Sequence, residues 1–597
     1  MANGFGSLYV GSSGLRAQQN AMNVVANNLS NIDTTGYVRQ QVIFEDMNYN
    51  FFATASISDQ YTGLGVSIGD VIHARDQFLD QSYRLESGRA AFYASQYDAT
   101  SEVETLLKEI GTGESFATAV NDLYEAFAEF AKDPSDTVNL NLISQKASLF
   151  ISRAQGVYDG LKSYQTNLNA KINNDIDRIN EIGKQIFNMN LEIQKIEAGG
   201  TETAMTLRDE RDALLDELGK LAKISYKESA DHIVSVKLEG VDFILESQYY
   251  SIGSHLDRET GFVVPYWNQL SEPAADEYYE VFNTSAVDAV SNNDVGEVKS
   301  LLLARGDKVA NYMDIINLNS YQYENGISNS VMLNTEAELD SMIHSLVVAI
   351  NDFLSPVAKY TDTAYYKDGD TLPRDERDAQ GKITAQYPLE TRDENGEIVN
   401  IYTNTKVLDI GNVIYGSDGE LPPHELFSRN GCERYTRTTD ANGNVYYVYN
   451  EEDPADTSTC YTIKSLSVNK DVVEDSSVIP HIMQNGDIAY TMAEDIYNLW
   501  EDKNYTLNPN DTTPCSYSEF YTKFVGDLST KGSIYKTTSE SLKGTVDTIE
   551  SNRQAVVGVS ADEELTNLIK FQNAYNASSR YINTVSQMID YLLSSLG

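Results

Sequence analysis

Four groupings in this chain have residue types and spacings that match known chemistry. Gly65-Val66-Ser67-Ile68-Gly69 has the G-x-S-x-G form of an activated serine. That chemistry needs a sharp strand-to-helix turn that exposes the hydroxyl, with a base and an acid nearby. Here Asp70-Val71-Ile72-His73 continues as strand and no triad partners are implied, so a glycine-punctuated strand is expected. Asp440, Asn442, Asn444 and Glu451 have the spacing of a calcium loop, but Val445 stands where the turn glycine belongs and acids are few. A hairpin turn at Asn442-Gly443 is the better reading. The six histidines are scattered, with no HExxH, and Cys432, Cys460 and Cys515 form no CxxC pair or even disulfide set. Leu207-Arg208-Asp209-Glu210-Arg211-Asp212 is a dense charge run, expected to be a solvated helix face with i,i+3 and i,i+4 pairs. There is no Walker A loop and no GxGxxG. No catalytic, cofactor or metal constellation emerges, and a non-enzymatic protein without a cofactor is expected.

Composition narrows the partners. With 44 basic and 89 acidic residues the net charge is −45. Phosphate binding needs a basic patch, so nucleic acid and anionic membrane surfaces are not expected partners. No stretch is apolar enough to span a bilayer. The first 32 residues contain a single charge, Arg16, and lack the pattern of a cleavable secretory signal. If the protein leaves the cytoplasm, a route that retains the N-terminus is expected.

The two ends carry the same periodic signal. Leu8, Leu15, Met22 and Leu29 fall seven apart, with Val25 and Ile32 offset by three. Leu568, Tyr575, Ile582, Ile589 and Leu596 also fall seven apart, with Phe571, Val585 and Leu592 offset by three. This is the a/d pattern of helices that pack lengthwise against other helices. The N-terminal helix is rich in Asn, Ser and Gly, which are weak helix formers, so residues 1–35 are expected to be an assembly helix that is disordered in a free monomer.

Between the ends, residues 36–230 read as a helical core with a short extended region over 36–75. The clearest helix runs through Ile172, Ile179, Ile186 and Ile193. Residues 231–295 read as β-rich, with His232–Leu245 as strand. Helical character returns over 296–356. Residues 357–484 are dense in Tyr, Thr, Asp and Gly, with turn candidates at Gln380-Gly381, Asn395-Gly396, Asp418-Gly419 and Asn442-Gly443, and read as a β-rich variable insertion. Residues 485–597 are helical again. The expected fold is α+β and multidomain: a long, coiled-coil-like helical core built from both termini, carrying inserted β-rich outer domains.

Several motifs are familiar. Asn27-Asn28-Leu29-Ser30-Asn31, followed by Thr35-Gly36-Tyr37-Val38-Arg39-Gln40, resembles the N-terminal signature of bacterial flagellar rod, hook and hook-associated proteins, with Asn27, Asn28, Asn31, Gly36 and Tyr37 as its core. The run Leu207–Leu218 resembles the hook-associated protein 1 branch of that family. So does Asn552-Arg553, then Gly558-Val559-Ser560-Ala561-Asp562-Glu563-Glu564 leading into Leu568–Leu593, although Leu is usual where Ala561 stands. The resemblance covers roughly 1–230, 296–355 and 487–597.

The resemblance implies a structural subunit of the flagellum at the hook–filament junction, a homo-oligomer forming a ring or tubular layer around the export channel. It implies type III export without cleavage, contact with the hook protein and a second junction protein, and an export chaperone on the C-terminal helix, about Glu563–Leu596. Two alternatives stay open: a hook or distal-rod subunit, and an adhesive or binding module in 357–484 carried on the flagellum.

Overall fold

The computed structural model describes all residues except 1, 35–36, 48–49, 55–58, 63, 109–114, 199–202, 286, 361–374, 381–382, 442 and 597. Thirteen α-helices occur among the described residues. They are α1 (Ala2–Ser30), α2 (Gln77–Lys108), α3 (Phe116–Lys132), α4 (Thr137–Glu197), α5 (Met205–Leu221), α6 (Glu297–Arg305), α7 (Met313–Ile316), α8 (Ser320–Asn325), α9 (Val331–Leu354), α10 (Lys470–Glu474), α11 (Tyr490–Asn498), α12 (Tyr517–Val557) and α13 (Ala561–Leu596).

The long helices follow from their apolar spacing. In α4, a helix of 61 residues, the isoleucines at 172, 176, 179, 182, 186 and 193 are all buried and continue the buried face that begins at Leu140. At 1.5 Å per residue that helix is about 90 Å long, so the body is a rod. Asp136 caps its start by accepting from the Val138 amide. α12 starts at a capping box, with Ser516 accepting from the Glu519 amide and the Glu519 side chain accepting from the Ser516 amide. It then runs back along α2. Gly532 is pressed against Thr100 of α2, where a Cβ would come within 2.9 Å of Cγ2. α1 and α13 form a second long pair. Both ends of the sequence therefore meet as helix pairs, and the middle of the chain loops out between them.

The β regions are antiparallel inserts. Gln40–Asp46 pairs with Val66–His73. Ser67 sits within that ladder opposite Glu45 and not on a turn, as the strand reading requires. His232–Leu245 is two strands, Val234–Leu238 and Val241–Ile244, and not one. Glu239 and Gly240 both adopt positive φ and make the turn between them. Together with Ile224–Glu228 they form a three-stranded sheet, followed by the hairpin Ile252–Leu256 with Val263–Trp267. In the later insertion a six-stranded sheet runs in the order Val357–Lys359, Lys406–Leu408, Val445–Tyr449, Tyr435–Asp440, Leu389–Asp393, Ile398–Ile401. The Asp440 carboxylate accepts from the Asn444 amide and side chain at 2.8 Å, closing the hairpin. Positive φ at Gly396, Gly419 and Gly443 supports three of the turn expectations; that at Gly381 lies outside the described residues.

α9 is the axle between these parts. It carries buried Glu336, Glu338 and Asp340 as well as apolar residues. Asp340 accepts from the Ile463 amide of the insertion at 2.7 Å and from the Tyr312 amide at 3.0 Å. Glu336 accepts from the Ala310 amide at 2.9 Å and from Gln165 of α4 at 3.4 Å. Burial pushes the Glu336 carboxyl up to about 8, against the Ala310 bond that favours its charge. An unfolded glutamate titrates at about 4.3. The native chain therefore keeps a proton there that the unfolded chain releases, and the stability it contributes is full below about pH 4 and lost as pH rises through about 8. Replacing Glu336 by Gln, the neutral isostere, is expected to flatten the pH dependence of unfolding between pH 5 and 8 by up to about 1.4 kcal/mol per pH unit, one proton's worth. Urea titrations of both proteins at several pH values check this.

Candidate functional site

The place where head, middle and tail of the chain converge is built from the signature residues. Asn28, at the end of α1, is fully buried. Its Oδ1 accepts from the Tyr37 hydroxyl at 2.9 Å and the Gln40 amide at 3.0 Å. Its Nδ2 donates to the Gln40 carbonyl at 3.0 Å and to Glu564 Oε2 at 3.1 Å. One side chain thus uses four hydrogen bonds to join α1, the first strand and the start of α13, which explains why an amide and not an apolar residue ends the helix stripe. Asn31 caps α1, its side chain donating to the Asn27 carbonyl at 2.9 Å while its Oδ1 accepts from Thr34 at 3.2 Å. Asn27 takes part through that carbonyl, its side chain being exposed. Gly36 lies outside the described residues.

The next residues tie this hub to the rod. The Val38 amide donates to Asp209 of α5 at 3.3 Å. The Arg39 amide donates to the Val557 carbonyl at 2.9 Å, and its guanidinium meets Glu563 at 2.7 Å and Glu564 at 3.8 Å. Burial, then the charges of Asp209 and Glu564, push the Tyr37 phenol up to about 12, so it remains a donor. Burial, then Arg75, Arg208 and Arg211, hold His73 down at about 3, a neutral ring beside Asp209. Burial pushes Asp209 up to about 7, opposed by the Val38 amide.

The charge run on α5 is not a solvated face. Asp209 and Arg211 are buried, and Asp212 and Asp216 enter a six-membered ion network. Arg84 of α2 bonds Asp216 at 2.6 Å and Asp212 at 3.3 Å. Arg75 meets Asp212 and, at 3.8 Å, Asp80. Arg553, near the end of α12, bonds Asp80 at 2.8 Å and Asp216 at 2.9 Å, with its guanidinium 4.3 Å from the centre of the Tyr83 ring. Burial alone would lower the pKa of Arg84 and Arg553; the facing aspartates outweigh it and both end above their ordinary value. The surface reading failed because i,i+3 spacing on α5 describes the helix and not its neighbours. α2 and α12 supply counter-charges from far along the sequence.

The α1–α13 seam matches the periodic reading on one side and departs from it on the other. On α13, Val585 is buried and Leu568, Phe571, Tyr575, Ile582 and Ile589 are half-buried along the seam face. Phe571 turns to the first strand, its ring 5.9 Å from Phe44. Leu592 does not join; it is exposed. On α1, Val25 is buried, but Leu8, Leu15, Met22 and Leu29 are only half-buried at the edges. Ile32 is exposed, because the helix ends at Ser30 and Ile32 falls in the following turn. The contact line itself is Gly11, Gly14, Ala17 and Ala21. A Cβ on Gly11 would stand 2.6 Å from Ile582 Cγ1, and one on Gly14 2.9 Å from Ser578 Oγ. Small residues let the two backbones approach, and the larger ones flank the seam. The small-residue line recurs at three- and four-residue intervals and was visible in the sequence, masked by the stronger heptad of large side chains.

Several apolar residues stay outside the seam. Tyr9 on α1 and Ile569, Tyr581, Met588, Tyr591 and Leu593 on α13 are all exposed. No helix among the described residues is long and apolar enough to cross a membrane. Asp418, Glu420 and His424 have ligand atoms within 4.8 Å of one another, but His424 already bonds Asp418 at 2.8 Å and the acids are exposed.

Family models match in chain order: flagella basal body rod protein over 8–37, the helical domain of flagellar hook-associated protein FlgK over 100–356, and the flagellar basal body rod FlgEFG protein C-terminal region over 551–595. Flagellar hook-associated protein 1 of Bacillus subtilis is 23% identical over 605 residues, covering 100% of this chain and 99% of that protein. The protein of the same name from Escherichia coli is 21% identical over 598 residues, covering 98% of each. The solved flagellar hook junction protein FlgK from Burkholderia pseudomallei aligns with a TM-score of 0.45 at 12% identity, covering 79% of this chain and 99% of that one.

The Asn28 hub makes a local prediction. Asn28→Ala leaves the Gln40 amide and Glu564 short of a partner, at a cost of about 1–3 kcal/mol. Hydrogen–deuterium exchange is expected to speed up across α1 and the first turns of α13 while α2–α5 keep their protection.

Proposed function

The chain belongs to the flagellar hook-associated protein 1 family, and from that premise we propose that it is a structural subunit of the junction between hook and filament, assembled through its terminal helices. The observation that carries this reading is the α1–α13 pair: head and tail lie side by side, closed along a small-residue seam, with several large apolar residues left outside. Such residues are costly in water and are satisfied when neighbouring copies bury them. A ring or tubular layer of copies meets that need, with the hook protein below and a second junction protein above. The role is mechanical, and no reaction is assigned to the chain.

The same pair fits export through a narrow channel. The buried side chains at its seam are small, chiefly Ala17, Ala21 and Val25 against Val585. Burial of such residues stabilises modestly, and an isolated Asn- and Gly-rich helix is marginal. The ends therefore open at low cost, leaving the C-terminal helix accessible to an export chaperone, and pair again after export. The insertion 357–484 then faces away from the tube axis.

The assembly reading is tested by charging the outer apolar residues and not the seam. Ile569→Asp combined with Met588→Asp should leave the isolated chain folded, by circular dichroism, while cells carrying it stop at bare hooks under electron microscopy. Normal filaments from that double variant would refute the reading.

A further inference from the structure

One cavity lies outside everything assigned above. It has a volume of about 590 Å³ and sits between the hairpin Ile252–Leu256/Val263–Trp267, the end of α6 and the start of α9. Its walls are mixed, with Phe262, Phe282, Leu302, Leu303, Ile327 and Leu333 forming the apolar part. Arg305, the last residue of α6, also lines it and is only 3% exposed.

Arg305 is held as Arg429 is, by neutral acceptors (for Arg429 the Asn450, Thr459 and Glu433 carbonyls), and unlike the other buried arginines. Arg84, Arg211, Arg434 and Arg553 each bond a carboxylate. Arg305 has no carboxylate partner among the described residues. Its Nε donates to the Gly306 carbonyl at 3.0 Å, and its Nη1 donates to Asn169 Oδ1 at 2.6 Å and the Val263 carbonyl at 2.9 Å. The Phe262 ring stacks against it, 4.7 Å from Cζ. Three neutral acceptors and a ring thus fix the guanidinium in place without neutralising it. Nη2 has no acceptor among the described residues. Burial draws the Arg305 pKa down to about 10, with exposed Asp307 the one charge opposing it, so the group is still cationic at neutral pH.

A buried, oriented and uncompensated cation is expensive to keep. Its chemical complement is an anion, whose oxygen can accept a charge-assisted hydrogen bond from the remaining donor, Nη2. We propose that this cavity is a binding site for a small organic carboxylate, its charged end on Arg305 and its hydrocarbon body against Phe262, Phe282 and Leu303. The volume falls in the range of small-molecule sites, about 300–1,000 Å³. Asp257, Glu280, Asp307 and Lys308 also line the cavity, and Lys308 is already paired with Asp314. Asp257 is already occupied by the Glu259 and Thr260 amides, at 2.9 and 2.7 Å, and Glu280 and Asp307 are exposed. These acids disfavour multiply charged anions and phosphates, leaving a single carboxylate on an apolar chain as the class that fits. The site is independent of the α1–α13 seam, so it stands or falls apart from the assembly reading.

The probes are hexanoate and its neutral isostere hexanamide, titrated into the full chain and followed by ligand-observed NMR. Hexanoate is expected to bind about tenfold or more tighter than hexanamide, the discrimination of a charge-assisted hydrogen bond. Arg305→Gln should abolish that preference. Leu303→Trp, which fills the cavity from a half-buried position without touching the guanidinium, should block hexanoate binding with the fold unchanged by circular dichroism. The Leu303→Trp arm and the comparison of the two probes decide the matter even if Arg305→Gln does not fold. Equal binding of the two probes, hexanoate binding that survives Leu303→Trp, or no hexanoate binding at about 100 mM, far weaker than the millimolar range, would overturn the proposal.

Discussion

Three arginines and three aspartates, drawn from the start of α2, the middle of α5 and the end of α12, make the network on which the placement of both chain ends depends. Their formal charges balance. A buried network of this kind adds little stability over an apolar replacement, but leaving one member unpaired costs about 3–5 kcal/mol. What it enforces is register. If α12 slid one turn along α2, Arg553 would lose Asp80 and Asp216 together. With Arg553 fixed, the Val557 carbonyl and the turn at Gly558 are fixed, and so is the point where α13 begins. Asn28, Arg39 and Glu564 then have one arrangement in which all are satisfied.

The chain therefore joins its ends with two interfaces of different character. The α2–α12 pair is locked by charge and by long contact with the rod. The α1–α13 pair is closed by glycine and alanine and anchored at one end only, by the Asn28 hub. A firm joint followed by a yielding one suits a subunit whose last helices must open in transit and close again afterwards. The outer apolar residues on α13 gain nothing from the single chain, which is why they read as a surface for neighbours and not as a misplaced core.

Much of this was legible in the sequence. The rod helices announced themselves through uninterrupted isoleucine spacing in α4, and the inserted hairpins through Asn-Gly turns. The heptad on α13 identified the seam face through Ile582, Val585 and Ile589. Three features were not legible, each for a physical reason. The acids of α5 look solvent-facing because the counter-charges of Asp212 and Asp216, which are Arg75, Arg84 and Arg553, are separated from them by up to 337 residues. The true contact line of α1 is a line of missing side chains, which a search for large apolar residues passes over. Arg305 looks like an ordinary cation at a helix C-terminus, and only its surroundings reveal that no acid answers it.

The most direct test of the central claim, that head and tail of one chain pair along the small-residue seam, is oxidative cross-linking. With Cys432, Cys460 and Cys515 changed to serine, Gly14→Cys and Ser578→Cys place two thiols where a Cβ on residue 14 lies 2.9 Å from the Ser578 side chain. On oxidation of dilute protein, the pairing described here predicts a cross-linked monomer with altered gel mobility and no higher species. A ladder of covalent oligomers without that monomer, or no cross-link at all, would contradict it.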